Sequence, residues 1–212
     1  MAKPLPVTSL PESQIIGPDS GLDADFFFEE NKGKILGVII FLLLALCAWL
    51  FYQHQQNETR KEQSSAFYNA KSSADWQALI AKYPGTIVAG NAQLLLADKL
   101  RDENKLDEAL AVLSDFTKTA GSHPLIAQGW LSYAGTLEAK GDAAKAAQTY
   151  GNIAGQYSST EAAPAALASQ ARLVRKSGDN KKAREIYENI VQRFPTSVWS
   201  EEAKQEIDRL PE

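Results

Sequence analysis

The sequence predicts an all-α protein: one transmembrane helix, then an α-solenoid built from helix pairs. Three observations predict it. The stretch Ile35–Tyr52 carries no charge over eighteen residues. The chain beyond it repeats with a gap-free period of 37 residues. Within each repeat, small and large apolar residues recur at helical spacings, with a turn signal between them.

The apolar stretch ILGVIIFLLLALCAWLFY comes first in the argument. At about 1.5 Å per residue it reaches roughly 27 Å, close to a bilayer's hydrocarbon thickness. Twelve of its residues are Leu, Ile, Val or Phe. At about 0.3–0.6 kcal/mol each, they favour insertion by roughly 4–7 kcal/mol. An amphipathic core helix would show a polar residue every third or fourth position, and none occurs here. No small-residue cleavage site follows, so the stretch reads as an uncleaved anchor. Cys47, the only cysteine, sits inside it behind bulky Leu46, so neither lipidation nor a disulfide framework is expected.

The span divides the chain into four segments: a head (residues 1–34), the span (35–52), a helical stalk (53–71) and a repeat domain (72–212). Pro4, Pro6, Pro11 and Pro18 mark the head as a disordered cytoplasmic leader. Phe26, Phe27 and Phe28 suit the membrane interface, where aromatic rings sit partly wet. Lys32 and Lys34 precede the span closely, whereas the first basic residue after it is Arg60. The positive-inside rule therefore keeps the head cytoplasmic and exports the tail. The reversed arrangement, an anchored cytosolic adaptor, is the competing topology.

The 212 residues carry 22 Lys and Arg against 26 Asp and Glu, a net charge of −4. Nothing builds the positive field that nucleic-acid binding requires. The two histidines, His54 and His123, have no partners at catalytic or metal-ligand spacing and read as surface or capping residues. Phosphate loops, HExxH and a nucleophile elbow are also missing from the sequence. The expectation is a protein that is not an enzyme, with no cofactor, no metal, no nucleic-acid partner and no small-molecule substrate.

The repeat supplies the rest. Ala97, Ala134 and Ala171 align, as do Leu100, Leu137 and Val174 three residues later. Asn104, Gly141 and Gly178 then mark a turn, with Asp142 and Asp179 placed to cap the helix that follows. Ala109, Ala146 and Ala183 begin the second face, continued by Leu113, Tyr150 and Tyr187. Tyr83, Ala120, Tyr157 and Phe194 close the units. Trp76, Trp130 and Trp199 fall at packing positions. The count is half a unit, three full ones and a closing helix, about the minimum for a stable solenoid.

These marks resemble the tetratricopeptide repeat, whose usual period is 34 residues. The three added residues fall after the closing proline and lengthen the first helix, which should start near Val88, Leu125, Ala162 and Trp199. The resemblance implies a concave groove lined by the first helix of each pair. On this chain those positions are Asn91, Leu94, Asp98 and Arg101, then Gln128, Leu131, Gly135 and Glu138, then Arg172 and Arg175. The mixture lacks the ordered Lys/Asn set that clamps a C-terminal carboxylate. A less specific surface for a peptide or folded partner is expected.

The entry into the span, FFFEENKGKILGVII, and its exit, AWLFYQHQ with SSAFYNA beyond, are similar to the ancillary subunit of the bacterial SecYEG translocon. That resemblance implies an inner-membrane protein whose periplasmic repeats help at the translocation exit, beside the translocon and a membrane-bound periplasmic chaperone. The alternative is a cell-envelope scaffold coordinating division or outer-membrane assembly through protein contacts.

Overall fold

A computed structural model describes residues 24–211, with side chains from Asn31 to Pro211; the proline-rich leader and the interfacial placement of Phe26, Phe27 and Phe28 lie outside what is described. The chain divides into two units, Met1–Glu58 and Thr59–Glu212. No strand occurs among the described residues.

In the first unit, helix α1 (Ala24–Asn69, crossing into the second unit) starts ahead of Ile35 and carries the apolar stretch. The segment has a mean hydropathy of 2.8 and none of it is buried. Phe41, Leu44 and Phe51 are each more than 60% exposed, an arrangement water would penalise and lipid would not. This helix is long and apolar enough to cross a membrane.

The second unit begins with the last turns of α1. Then follow α2 (Ser73–Lys82), α3 (Ile87–Asp102), α4 (Leu106–Thr119), α5 (Ile126–Lys140), α6 (Ala143–Gln156), α7 (Ala162–Lys176), α8 (Asn180–Arg193) and α9 (Val198–Arg209). From α2 on, each helix packs on the next, and α7 also touches α5 and α9. The expected starts of the first helices fall within one residue of those observed. Helices α3, α5 and α7 have 16, 15 and 15 residues, and α4, α6 and α8 have 14 each.

The period is written into the backbone. Asn104, Gly141 and Gly178 have φ of 58°, 96° and 93°, the left-handed region that ends a helix most cheaply with glycine or asparagine. The amide just after each donates back to the carbonyl of Leu100, Leu137 or Val174, at 2.8, 2.9 and 3.3 Å. These are the long closing bonds of a Schellman turn. At the other end of the pair, the carbonyls of Tyr83, Ala120, Tyr157 and Phe194 accept the amide three residues on, at 3.2, 2.8, 2.9 and 3.0 Å. One expectation fails here. Asp179 caps α8 by accepting the Lys182 amide, but the Asp142 side chain makes no capping bond to α6.

Packing follows the aligned small residues. Ala109, Ala134, Ala146, Ala171 and Ala183 are completely buried, allowing neighbouring helices to approach closely. Tyr150, Ile153, Tyr187 and Ile190 fill the space between them in one cluster that runs from α5 to α9. Trp76, Trp130 and Trp199 are half-buried against the core, as their positions suggested.

Of the two roles expected of His123, surface or capping, the surface one fails. The residue is buried, with its ring set edge-on to Phe116 at 5.2 Å. Its Nδ1 accepts the Leu125 amide, which leaves Nε2–H to donate to the Ile87 carbonyl, at 3.1 and 3.2 Å. The ring thereby ties the start of α3 to the turn before α5. Phe116 is fully buried between two glycines that the repeat does not align. A Cβ at Gly129 would stand 2.2 Å from its Cε1, and one at Gly90 would stand 3.1 Å from its Cε2.

Candidate protein-binding groove

The ten residues expected to line the groove lie on α3, α5 and α7. Asn91, Leu94 and Arg101 are half-buried on α3, and Asp98 is exposed beside Arg101 at 3.5 Å. On α5, Gln128 is exposed, while Leu131 is half-buried and packed on the core. Gly135 leaves an open notch, because a Cβ there would meet only the Tyr150 hydroxyl, at 3.6 Å.

The charged members are engaged in ion pairs. Arg172 on α7 makes a two-pronged bond to Glu138 on α5, at 2.6 and 2.8 Å. This fork geometry is the strongest form of a guanidinium–carboxylate pair. The Arg172 hydrogen bonds hold the Glu138 carboxyl below its usual range, against an opposing effect of partial burial. Glu138 in turn raises the guanidinium. Arg175 reaches across to Glu206 on α9, which also takes a bond from Arg209 at 2.7 Å. Sequence reading placed Arg172, Arg175 and Glu138 on one surface but did not reveal that Arg172 pairs with Glu138 and Arg175 with Glu206. Glu206 was missed, since its partner lies 31 residues away and only the superhelix brings them together.

Tyr150 and Tyr187 stand beneath this row. Burial pushes both phenols up, and the nearby Glu138 carboxylate adds to the effect at Tyr150. Farther along, Lys181 and Lys182 are exposed, but Arg184 donates to the Leu210 carbonyl at 2.9 Å. That bond fastens the closing helix to α8.

At the other end of the array the surface changes character. The last turns of α1 are joined to α2 through Glu62, which accepts from Lys82 Nζ at 3.0 Å and Tyr83 Oη at 2.9 Å. The Tyr83 hydroxyl, followed by Glu62, pushes the Lys82 ammonium up to about 12. Ala66 and Phe67 pack beside Ala70, Leu79 and Tyr83. Between these turns and α3 lies an open groove of about 620 Å³ that includes Asn91.

Comparison with known proteins agrees with this architecture. Residues 26–127 match the family model described as a tetratricopeptide repeat-like domain, and residues 166–197 match a tetratricopeptide repeat. No curated protein gives a significant match. Among solved structures, a kinesin light chain protein of Podosopora anserina with nearly identical tetratricopeptide-like repeats superposes with a TM-score of 0.53 at 17% identity, covering 74% of this chain and 83% of that one. A tetratricopeptide repeat protein from Parabacteroides merdae gives 0.51 at 17% identity, over 65% of this chain and 51% of the other. The repeating backbone turns, the aligned buried alanines and these matches together make the helical array of this chain a tetratricopeptide-repeat-like solenoid.

Proposed function

We propose that the chain is a membrane-anchored, non-enzymatic protein-binding scaffold that acts as an ancillary or chaperone-like factor at the bacterial protein-translocation site. In this reading the head is cytoplasmic, α1 crosses the inner membrane, and the repeats work in the periplasm beside the translocon and a membrane-bound chaperone. One observation carries it: the repeat-like match begins at residue 26, so it takes in FFFEENKGK and the apolar span as well as the first repeats. A single match running across anchor and first repeats supports reading the two together. The work of such an anchored array is recruitment, because tethering a binding surface beside a fixed site raises its effective concentration there.

The test has two arms. In spheroplasts, added protease should digest the repeats and leave the membrane-protected helix; protection of the repeats would overturn the periplasmic orientation. A photo-crosslinker at exposed Gln128 on α5 should then capture translocon or chaperone subunits. Capture confined to division or outer-membrane assembly proteins would favour the envelope-scaffold alternative.

A further inference from the structure

The groove at the start of the array differs from the surface along α5, α7 and α9. There, ion pairs tie one first helix to the next: Glu138 to Arg172, and Arg175 to Glu206. The groove between the last turns of α1 and α3 has mostly apolar walls, with Ser64, Lys71 and Asn91 as its polar members. Phe67 and Tyr68 come from α1, Trp76 from α2, and Ile87, Val88 and Leu95 from α3. Tyr68, Ile87 and Leu95 are 76%, 58% and 41% exposed. The volume lies within the usual range of ligand-binding clefts.

The register explains why the groove stays open. Shifting the α3 turn back by one period places Asn104 over Phe67 and Lys105 over Tyr68. Where the repeat calls for a left-handed turn, α1 runs on helically to Asn69. Its last turn therefore presents two aromatic rings where the later units present a polar turn. Of the lining residues only Lys71 is charged. Its ammonium lies 4.9 Å over the Tyr68 ring, at the mouth of the apolar wall. No ion pair to this ammonium occurs among the described residues, although the Lys71 amide donates to the Asp75 carboxylate at 3.0 Å.

We infer that this groove binds an apolar segment of a partner protein that carries an acidic side chain, with the apolar residues against Tyr68, Ile87 and Leu95 and the carboxylate at Lys71. The inference rests on the protein-binding function proposed above and names the chemistry of the partner. The apolar walls supply affinity by losing water, while the lone cation sets the direction in which the segment lies. A neutral or basic segment leaves the Lys71 ammonium without a partner as the groove closes around it, which disfavours binding.

The probe is a fluorescent twelve-residue peptide with three leucines and one terminal-side glutamate, titrated by anisotropy against the full chain in nanodiscs. Replacing the glutamate by lysine should weaken binding about tenfold, and Lys71→Glu should reverse that preference. Leu95→Asp should weaken the glutamate peptide by about tenfold or more. Both sites are at the surface, and unchanged circular dichroism controls for folding. Equal affinity for the two peptides, or indifference to Leu95→Asp, would overturn the assignment. So would a crosslink through residue 95 between two copies, since the groove would then be closed by the chain itself. If peptide selectivity fails while Gln128 still captures partners, only the groove assignment falls. Failure of both removes the protein-binding reading.

Discussion

Gly129→Ala is the sharpest test of how the helices pack. The added Cβ would lie 2.2 Å from Phe116 Cε1 and 2.5 Å from Cδ1, far inside normal carbon–carbon contact. The ring cannot retreat easily. It is fully buried, His123 lies edge-on to it at 5.2 Å, and Gly90 presses on its far side. Overpacking of this kind costs about 1–3 kcal/mol, and the clash sits at the severe end of that range. Alanine returns about 1 kcal/mol through its better helix propensity. The expected net loss is about 2 kcal/mol, which lowers the urea midpoint by roughly 1 M at a typical slope. Trp130, the next residue, supplies the fluorescence signal, read on the full chain in micelles. Gly155→Ala on α6 is the control, because nothing lies within 4 Å of its Cβ, and it should gain about 0.5–1 kcal/mol. Combining Gly129→Ala with Phe116→Leu should recover part of the loss, giving a coupling of about 1 kcal/mol or more. If Gly129→Ala stabilises the chain as Gly155→Ala does, the close approach of α5 to Phe116 is wrong.

Three further outcomes follow from the same geometry. His123→Ala removes the acceptor for the Leu125 amide and the donor to the Ile87 carbonyl, and opens space beside Phe116; a loss of about 2–3 kcal/mol in urea unfolding is expected. A double-mutant cycle on Glu138→Gln and Arg172→Ala should give a coupling of about 0.5–1 kcal/mol at neutral pH, because both side chains remain partly exposed. Since the folded protein lowers the Glu138 carboxyl, this stability is present above the ordinary glutamate range and disappears as pH falls through the folded value, so the coupling should vanish in acid. Gly141→Ala and Gly178→Ala should each cost about 1 kcal/mol or more from the left-handed backbone, whereas Asn104→Gly should be neutral or slightly stabilising.

The candidate groove was legible as a set of helix positions but not as a working surface. Asn91, Gln128 and Gly135 are open to approach, while Glu138, Arg172 and Arg175 are engaged in joining one repeat to the next. A charge reversal at Arg172 therefore perturbs the array itself as well as any ligand. The capping role of His123 was legible but its burial was not, because nothing near it in sequence signals burial. Its burial comes from Phe116 and from Ile87, 36 residues earlier. Asp142 looked like a cap because it occupies the same place as Asp179, yet only the latter turns its carboxylate onto the helix.

What the sequence determined by itself is local or periodic. Eighteen uncharged residues specify a helix suited to lipid, and Asn104, Gly141 and Gly178 specify where each first helix must stop, because few residue types tolerate that backbone. The alanines at one-period intervals specify where helices approach. The tertiary structure alone decided which residues 31 to 36 positions apart meet: Arg175 with Glu206, Arg172 with Glu138, His123 with Ile87. It also decided that α1 overruns the register by a turn and leaves an apolar groove beside α3. The reason is physical. A turn is settled by the torsion angles of one residue, whereas a contact between repeats depends on how far each helix pair is rotated and shifted against the last. That offset is set jointly by every side chain between them.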